Sequence, residues 1–266
     1  MFLATVWSLF VSSLHAQSVG KQNGTDEWQT LFERRTFDGS AGEKLQYRLM
    51  SPGKVDPDTK YPLVLFLHGA GERGDDNQAQ LVHGMREFAK ADRRQKFPCY
   101  VIAPQCPQNK KWVEVPWDAD HHEQPDLPSD SLRLTHELIE RLSKELPIDT
   151  DRIYITGLSM GGFGTFDAIA RWPDFFAAAA PICGGGDSTA EIVARYRHVP
   201  IWVFHGDRDL VVSPQRSRDM VEALKKAGGK PKYSELMDTG HDSWNAAYSN
   251  NELYVWMFAE FRRSGR

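Results

Sequence analysis

Apolar positions along this chain follow two rhythms that take turns. Short runs rich in apolar, β-branched and aromatic residues recur at 32–37, 45–50, 61–67, 100–103, 153–156, 176–182, 200–204 and 232–237. Each predicts a strand. The first two are joined by a turn at 38–42. The run at 61–67 has no charged position, which is the pattern of a strand covered on both faces.

Between the strands the spacing becomes helical. A stripe of Val82, Met85, Phe88 and Ala89 predicts a helix over 79–91. Leu132, Thr135, Ile139, Leu142 and Leu146 predict another over 131–146, stopped by Pro147. Phe163, Phe166, Ile169 and Ala170 mark a third. A fourth opens with Ser213 as its cap and Pro214 at its first position, and closes at Gly228 and Gly229. The segment 253–261 is apolar on most sides and is expected to pack on the sheet. Strands alternating with helices predict an α/β fold: a mainly parallel sheet with helices on both faces, in a single domain.

Composition narrows the function classes. At 266 residues, the chain can bury one sizeable core. Its net charge of −4, with no long basic run, argues against a nucleic-acid partner. The apolar stretch at 1–16 ends in small residues (Ser12, Ser13, Ala16) and is too short to span a bilayer. It reads as a secretory signal with a cut after Ala16, although no Lys or Arg precedes its apolar core. Residues 17–26 read as a polar linker and 27–266 as the folded unit. These readings place the protein outside the cytoplasm, secreted or periplasmic, without stable membrane insertion. Cys99 and Cys106 bracket one strand, which sets them about 23 Å apart and beyond disulfide reach. With Cys183 they are expected to be buried or loop thiols, not metal ligands.

The chemistry centres on residues 152–162. A β-branched run drives into Gly157-Leu158-Ser159-Met160-Gly161, and a helical pattern leaves on the far side. Strand, sharp turn and helix around G-x-S-x-G make a nucleophile elbow. Gly157 and Gly161 let strand and helix approach closely, and Ser159 is held in a strained turn with its hydroxyl exposed. The Met160 N–H would face an oxyanion. Three other strand ends carry polar candidates: the glycine-rich 68–74, Asp207 and Asp209, and His241. In such sheets these ends converge on one crevice. A serine hydroxyl needs a base, and imidazole suits neutral pH. His241 is the expected base and Asp209 the acid that orients it. Asp207, nearer its strand, is expected to brace the turn. Ala70 or Gly71 would supply a second oxyanion donor.

The long stretch 104–128 lacks periodicity and is expected to wall the substrate pocket. Its Trp112 and Trp117 are candidates for stacking on a sugar or a phenolic acyl group, or for the core. His121 and His122 sit among acidic residues without a recognised metal spacing. No metal is expected. His68 and His205, each before a glycine at a strand end, are expected to be structural.

The segments His68–Asn77, Ala103–Pro107, Gly157–Gly162 and Pro181–Asp187 together resemble the secreted phospholipase/carboxylesterase-like esterases. These are close to the feruloyl and acetyl-xylan esterases, dienelactone hydrolase and the prolyl-oligopeptidase-like hydrolases. The resemblance covers about 46–261. It implies an α/β-hydrolase with Ser159 as nucleophile, Asp209 as acid, His241 as base, and Met160 with Ala70 or Gly71 as the oxyanion hole. It implies no cofactor, and a small-molecule or polysaccharide-linked ester as substrate. A serine peptidase and a catalytically silent carbohydrate-binding protein are the rival readings on the same fold.

Overall fold

Residues 26–262 are described by a computed structural model, in which the eight expected strands join one sheet. They are β1 (Phe32–Asp38), β2 (Lys44–Met50), β3 (Tyr61–Leu67), β4 (Tyr100–Pro104), β5 (Ile148–Leu158), β6 (Ala178–Ile182), β7 (Trp202–Gly206) and β8 (Lys232–Leu236). Their order is β1-β2-β4-β3-β5-β6-β7-β8. The β1–β2 and β2–β4 pairs are antiparallel, and every later pair is parallel. The leader at 1–16, and the linker apart from Asp26, lie outside the described residues.

Strand periodicity divides the core into two layers. On β3, Leu63, Leu65 and Leu67 enter one layer and Val64 and Phe66 the other. Helices α3 (Asp130–Glu145), α4 (Met160–Arg171), α5 (Ala190–Tyr196) and α6 (Gln215–Lys226) cover the first face through residues such as Leu138, Ile169, Val193 and Met220. Helices α1 (Met85–Ala89), α7 (Trp244–Ser249) and α8 (Asn251–Ala259) cover the second through Met85, Tyr248 and Leu253. This is the α/β-hydrolase layout, with helices on both faces.

The helix expected over 79–91 is corrected. The chain makes a 3-10 turn at Ala79–Leu81, then α1, then α2 (Ala91–Lys96). Gly84 causes the first break: its φ of 75° cannot continue a right-handed helix, and a Cβ there would stand 2.8 Å from the Tyr248 ring. Val82 consequently points outward, 62% exposed, while Met85, Phe88 and Ala89 stay buried. At α6 the boundary shifts by one residue, with Pro214 rather than Ser213 at the cap position. Gly228, at φ 87°, closes that helix as expected, and Gly229 N–H reaches back to Leu224 O at 2.8 Å.

Candidate active site

The elbow follows from close packing. A Cβ on Gly157 would stand 2.4 Å from Gly161 O, and one on Gly161 would stand 2.0 Å from Leu67 O. Only glycine lets β3, β5 and α4 meet this tightly. Between the two glycines Ser159 is forced to φ 53°, ψ −117°, a conformation that costs about 1–3 kcal/mol and persists because the surrounding structure imposes it. Ser159 N–H donates to Ile182 O at 2.9 Å, tying the turn to β6.

The loops after β5, β7 and β8 bring three side chains into line. His241 Nε2 lies 2.9 Å from Ser159 Oγ, and His241 Nδ1 lies 2.7 Å from Asp209 Oδ2. Asp209 Oδ1 accepts from Val211 N–H at 2.8 Å and Val212 N–H at 2.9 Å. Burial pushes the Asp209 carboxyl up, but donation from His205, His241 and those two amides outweighs it and holds the group far below the usual carboxylate range. Asp207 lies apart from His241 and accepts from Thr239 N–H at 3.1 Å, bracing the turn that carries the histidine.

The glycine-rich loop after β3 lies against the elbow. Among the described residues, the Ala70, Gly71 and Met160 amides have no protein acceptor. The loop is anchored from behind. His68 Nδ1 donates to Gly69 O at 2.6 Å, and its Nε2 accepts from Cys106 N–H at 2.9 Å. Burial lowers the His68 pKa to about 4, so this ring is neutral. Gln105 Nε2 donates to Glu72 O at 3.2 Å, and Arg73 Nε to Ala70 O at 2.8 Å.

Above these groups opens a cavity of about 560 Å³, whose walls include Trp117, Val211 and Trp244. Trp117 belongs to the long 104–128 stretch and carries the Lys111 ammonium 4.7 Å from its ring centre. Trp112 does not belong to the cavity, and its candidacy for substrate stacking is corrected. It is fully buried, donates from Nε1 to His68 O at 3.0 Å, and packs where Gly164 leaves room. The rest of the stretch is pinned to the helices: Arg216 donates to Ala119 O at 3.2 Å and to His122 Nδ1, and Gln124 N–H to Asp187 at 2.8 Å. His122 is thereby occupied, its pKa lowered to about 4 by burial and by Arg216, and His121 faces solvent.

Among the described residues, one grouping of potential metal ligands comes within 4.8 Å: Cys183, Asp209 and His241. Two of these are already bonded to each other, and burial pushes the Cys183 thiol up, keeping it protonated. Trp244, Glu72 and His83 also line the cavity without having been singled out as pocket residues. Trp244 follows His241 by three residues and meets its ring edge-on at 5.3 Å. An aromatic one turn beyond the expected base was its only trace in the sequence.

Comparison with known proteins defines the class. The sequence profile of the phospholipase/carboxylesterase family matches residues 55–250, and the chain belongs to that family. A solved thermostable esterase superposes with a TM-score of 0.81 at 44% identity, over 88% of this chain and 64% of that one. A bifunctional acetylxylan esterase/xylanase of Neocallimastix patriciarum is 32% identical over 120 residues, 45% of this chain and 17% of the relative. A carboxylesterase of Arabidopsis thaliana is 25% identical over 76% of this chain and 91% of its own length. The chain spans less than half the length of the first three curated relatives it matches.

Proposed function

We propose that this protein hydrolyses carboxylic esters through an acyl-enzyme. The observation that carries the reading is the unbroken run of hydrogen bonds from Ser159 through His241 to Asp209, beneath a cavity flanked by unpaired amides. Ser159 Oγ attacks the ester carbonyl carbon as His241 Nε2 takes the hydroxyl proton. The carbonyl π electrons move to oxygen, where Met160 and Ala70 or Gly71 N–H groups stabilise the charge. Collapse expels the alcohol, which receives the proton from His241. Water then repeats the sequence on the acyl-serine and releases the acid. Asp209 stays ionised throughout and fixes the His241 tautomer. Every step uses the chain's own groups.

The substrates are small-molecule or polysaccharide-linked esters, with acyl groups on plant polysaccharide as the favoured source. The acetylxylan esterase/xylanase relative supports this choice. Export follows from the apolar run at 1–16, and sequencing the amino terminus of the mature protein tests it. The test of the reaction is hydrolysis of p-nitrophenyl acyl esters and methyl ferulate by wild type and Ser159→Ala. Turnover that disappears in the folded variant is expected, with stoichiometric fluorophosphonate labelling of Ser159. Equal turnover by both proteins would overturn the mechanism.

A further inference from the structure

A carboxylate stands on the wall of this cavity without a donor. Glu72 lies on the loop of the unpaired amides, with its side chain 12% exposed. Among the described residues, no N–H or O–H donates to its oxygens. The nearest basic side-chain nitrogen is His83 Nε2, 3.6 Å from Oε1 and beyond hydrogen-bond length. A Cβ on Gly69 would stand 2.9 Å from Glu72 Oε2 and 3.7 Å from Ser159 Cβ, so carboxylate and nucleophile flank the same glycine. An anion in that position opposes the charge that gathers on the carbonyl oxygen during attack. Once substrate displaces water from the cavity, donors to this carboxylate must come from the substrate itself. A bare ester brings none.

The surroundings identify the chemistry that would. His83 packs on Trp244 at 5.1 Å between ring centres, and Trp244 on His241, giving an aromatic wall that leads from Glu72 to the base. Lys111 and Asp118 line the same cavity, and Arg73 stands over Trp117. Acceptors and donors beside aromatic faces match a sugar ring, whose hydroxyls both donate and accept and whose C–H faces are apolar. With Glu72 and Asp118 against Lys111 in its walls, the cavity does not itself reject a cationic alcohol, and the cationic acetate below separates that case from a sugar.

We infer that Glu72, with His83 and Trp244 beside it, is a subsite for the alcohol half of the ester, and that this alcohol is a sugar with free hydroxyls near the acylated one. The inference rests on the ester-hydrolase reading above. Glu72 is a specificity-determining residue: it opposes the chemical step for simple esters and favours binding of hydroxylated ones.

Three acetates that share one acyl group test it: a mono-acetylated methyl β-xyloside, cyclohexyl acetate and 2-(trimethylammonio)ethyl acetate. Wild type and Glu72→Gln are compared, each normalised to the fraction labelled by fluorophosphonate. The ratio of kcat/KM for the xyloside ester to that for cyclohexyl acetate is expected to fall by about tenfold or more in Glu72→Gln, mainly through KM. Glu72→Asp, which keeps the carboxylate, is expected to retain part of the ratio. Unlabelled methyl β-xyloside is expected to inhibit cyclohexyl acetate hydrolysis by wild type competitively, a readout that needs no variant. An unchanged ratio, absent inhibition, or a larger loss on the cationic acetate would each overturn the sugar subsite while leaving the esterase standing. No turnover of any acetate and no labelling of wild type would instead remove the esterase reading, and the subsite with it.

Discussion

His205 Nε2 lies 3.2 Å from Asp209 Oδ2, the same oxygen that receives His241 Nδ1. Asp209 therefore answers to two histidines, one at the active site and one wholly inside the protein. His205 Nε2 also faces Val212 O at 3.0 Å, so that nitrogen must carry a proton. Its Nδ1 meets Ser217 Oγ at 2.7 Å, and Ser217 Oγ lies 3.0 Å from Gly184 O. The chain of contacts thus runs from Ser159 through His241, Asp209 and His205 to the start of α6. The sequence reading of His205 as structural leaves out this neighbour; the ring is wholly buried. In the proposed mechanism it would position Asp209, the acid.

Removing the His205 donor should show this. His205→Leu leaves a buried carboxylate oxygen one donor short, which costs about 1–3 kcal/mol. It also raises the Asp209 pKa, because one of the groups that holds it low is gone. A carboxylate held low contributes stability above its ordinary pKa and loses that contribution as pH falls through the folded value. In His205→Leu the loss therefore comes at higher pH. The expected result is a tenfold or greater fall in kcat/KM near neutrality, with the acid-side loss of stability moved to higher pH. His205→Gln, which offers an N–H near the Nε2 position, should recover much of both. A pH profile that differs from wild type only in height would mean that His205 does no more than fill space.

Loss of stability in acid has a separate source in the buried neutral histidines. His68 is 1% exposed, and its pKa is lowered to about 4 by burial. An unfolded histidine takes up its proton near 6.5. Between those values the unfolded chain binds more protons, so stability is complete above about 6.5 and declines as pH falls toward 4. For His68 the full effect is about 3 kcal/mol, and His122, lowered in the same direction, adds a smaller part. Denaturant midpoints at steps from pH 7.5 to 4.5 measure it. Wild type should lose stability steadily across that window, whereas His68→Gln should start lower and fall less. Parallel curves would show that His68 does not control the slope.

The strands were readable from the sequence because parallel strands buried on both faces have nowhere to hide a polar residue: 61–67 became Tyr61–Leu67 without adjustment. β5 was read short because Asp149, Thr150 and Asp151 face outward at its exposed end, and their polarity masks an extended backbone. The helix over 79–91 failed because a periodic stripe does not report the φ of Gly84. Of the candidate site residues, Ser159, Asp209 and His241 could be chosen because each follows a strand, and the sheet fixes where strand ends go. The cavity wall had no such rule. Glu72 and His83 lie in the connection between β3 and α1, Trp244 opens α7, and their contact exists only once α1 and α7 pack on the same face of the sheet.

Trp112 and Trp117 show the same limit, and they can be separated by experiment. They sit five residues apart in one irregular stretch, and nothing in their spacing says which faces the cavity. Trp112 is enclosed by the core, edge-on to His68 at 5.2 Å, and holds the carbonyl of the residue that begins the oxyanion loop. Trp112→Ala should cost about 3–5 kcal/mol, as large-to-small changes of buried aromatics do. Trp112→Phe keeps most of the volume but leaves His68 O without its donor. It should cost about 1–3 kcal/mol and lower kcat, since only Gly69 separates that carbonyl's residue from the Ala70 and Gly71 amides. Trp117→Ala should cost less in stability, because its ring is only partly buried at the cavity wall beneath the Lys111 ammonium, and should act mainly by raising KM for the proposed polysaccharide-linked esters. Urea midpoints and steady-state kinetics on the three variants are the measurements. A large KM effect for Trp112→Phe with unchanged stability would reverse the assignment and return Trp112 to the substrate pocket.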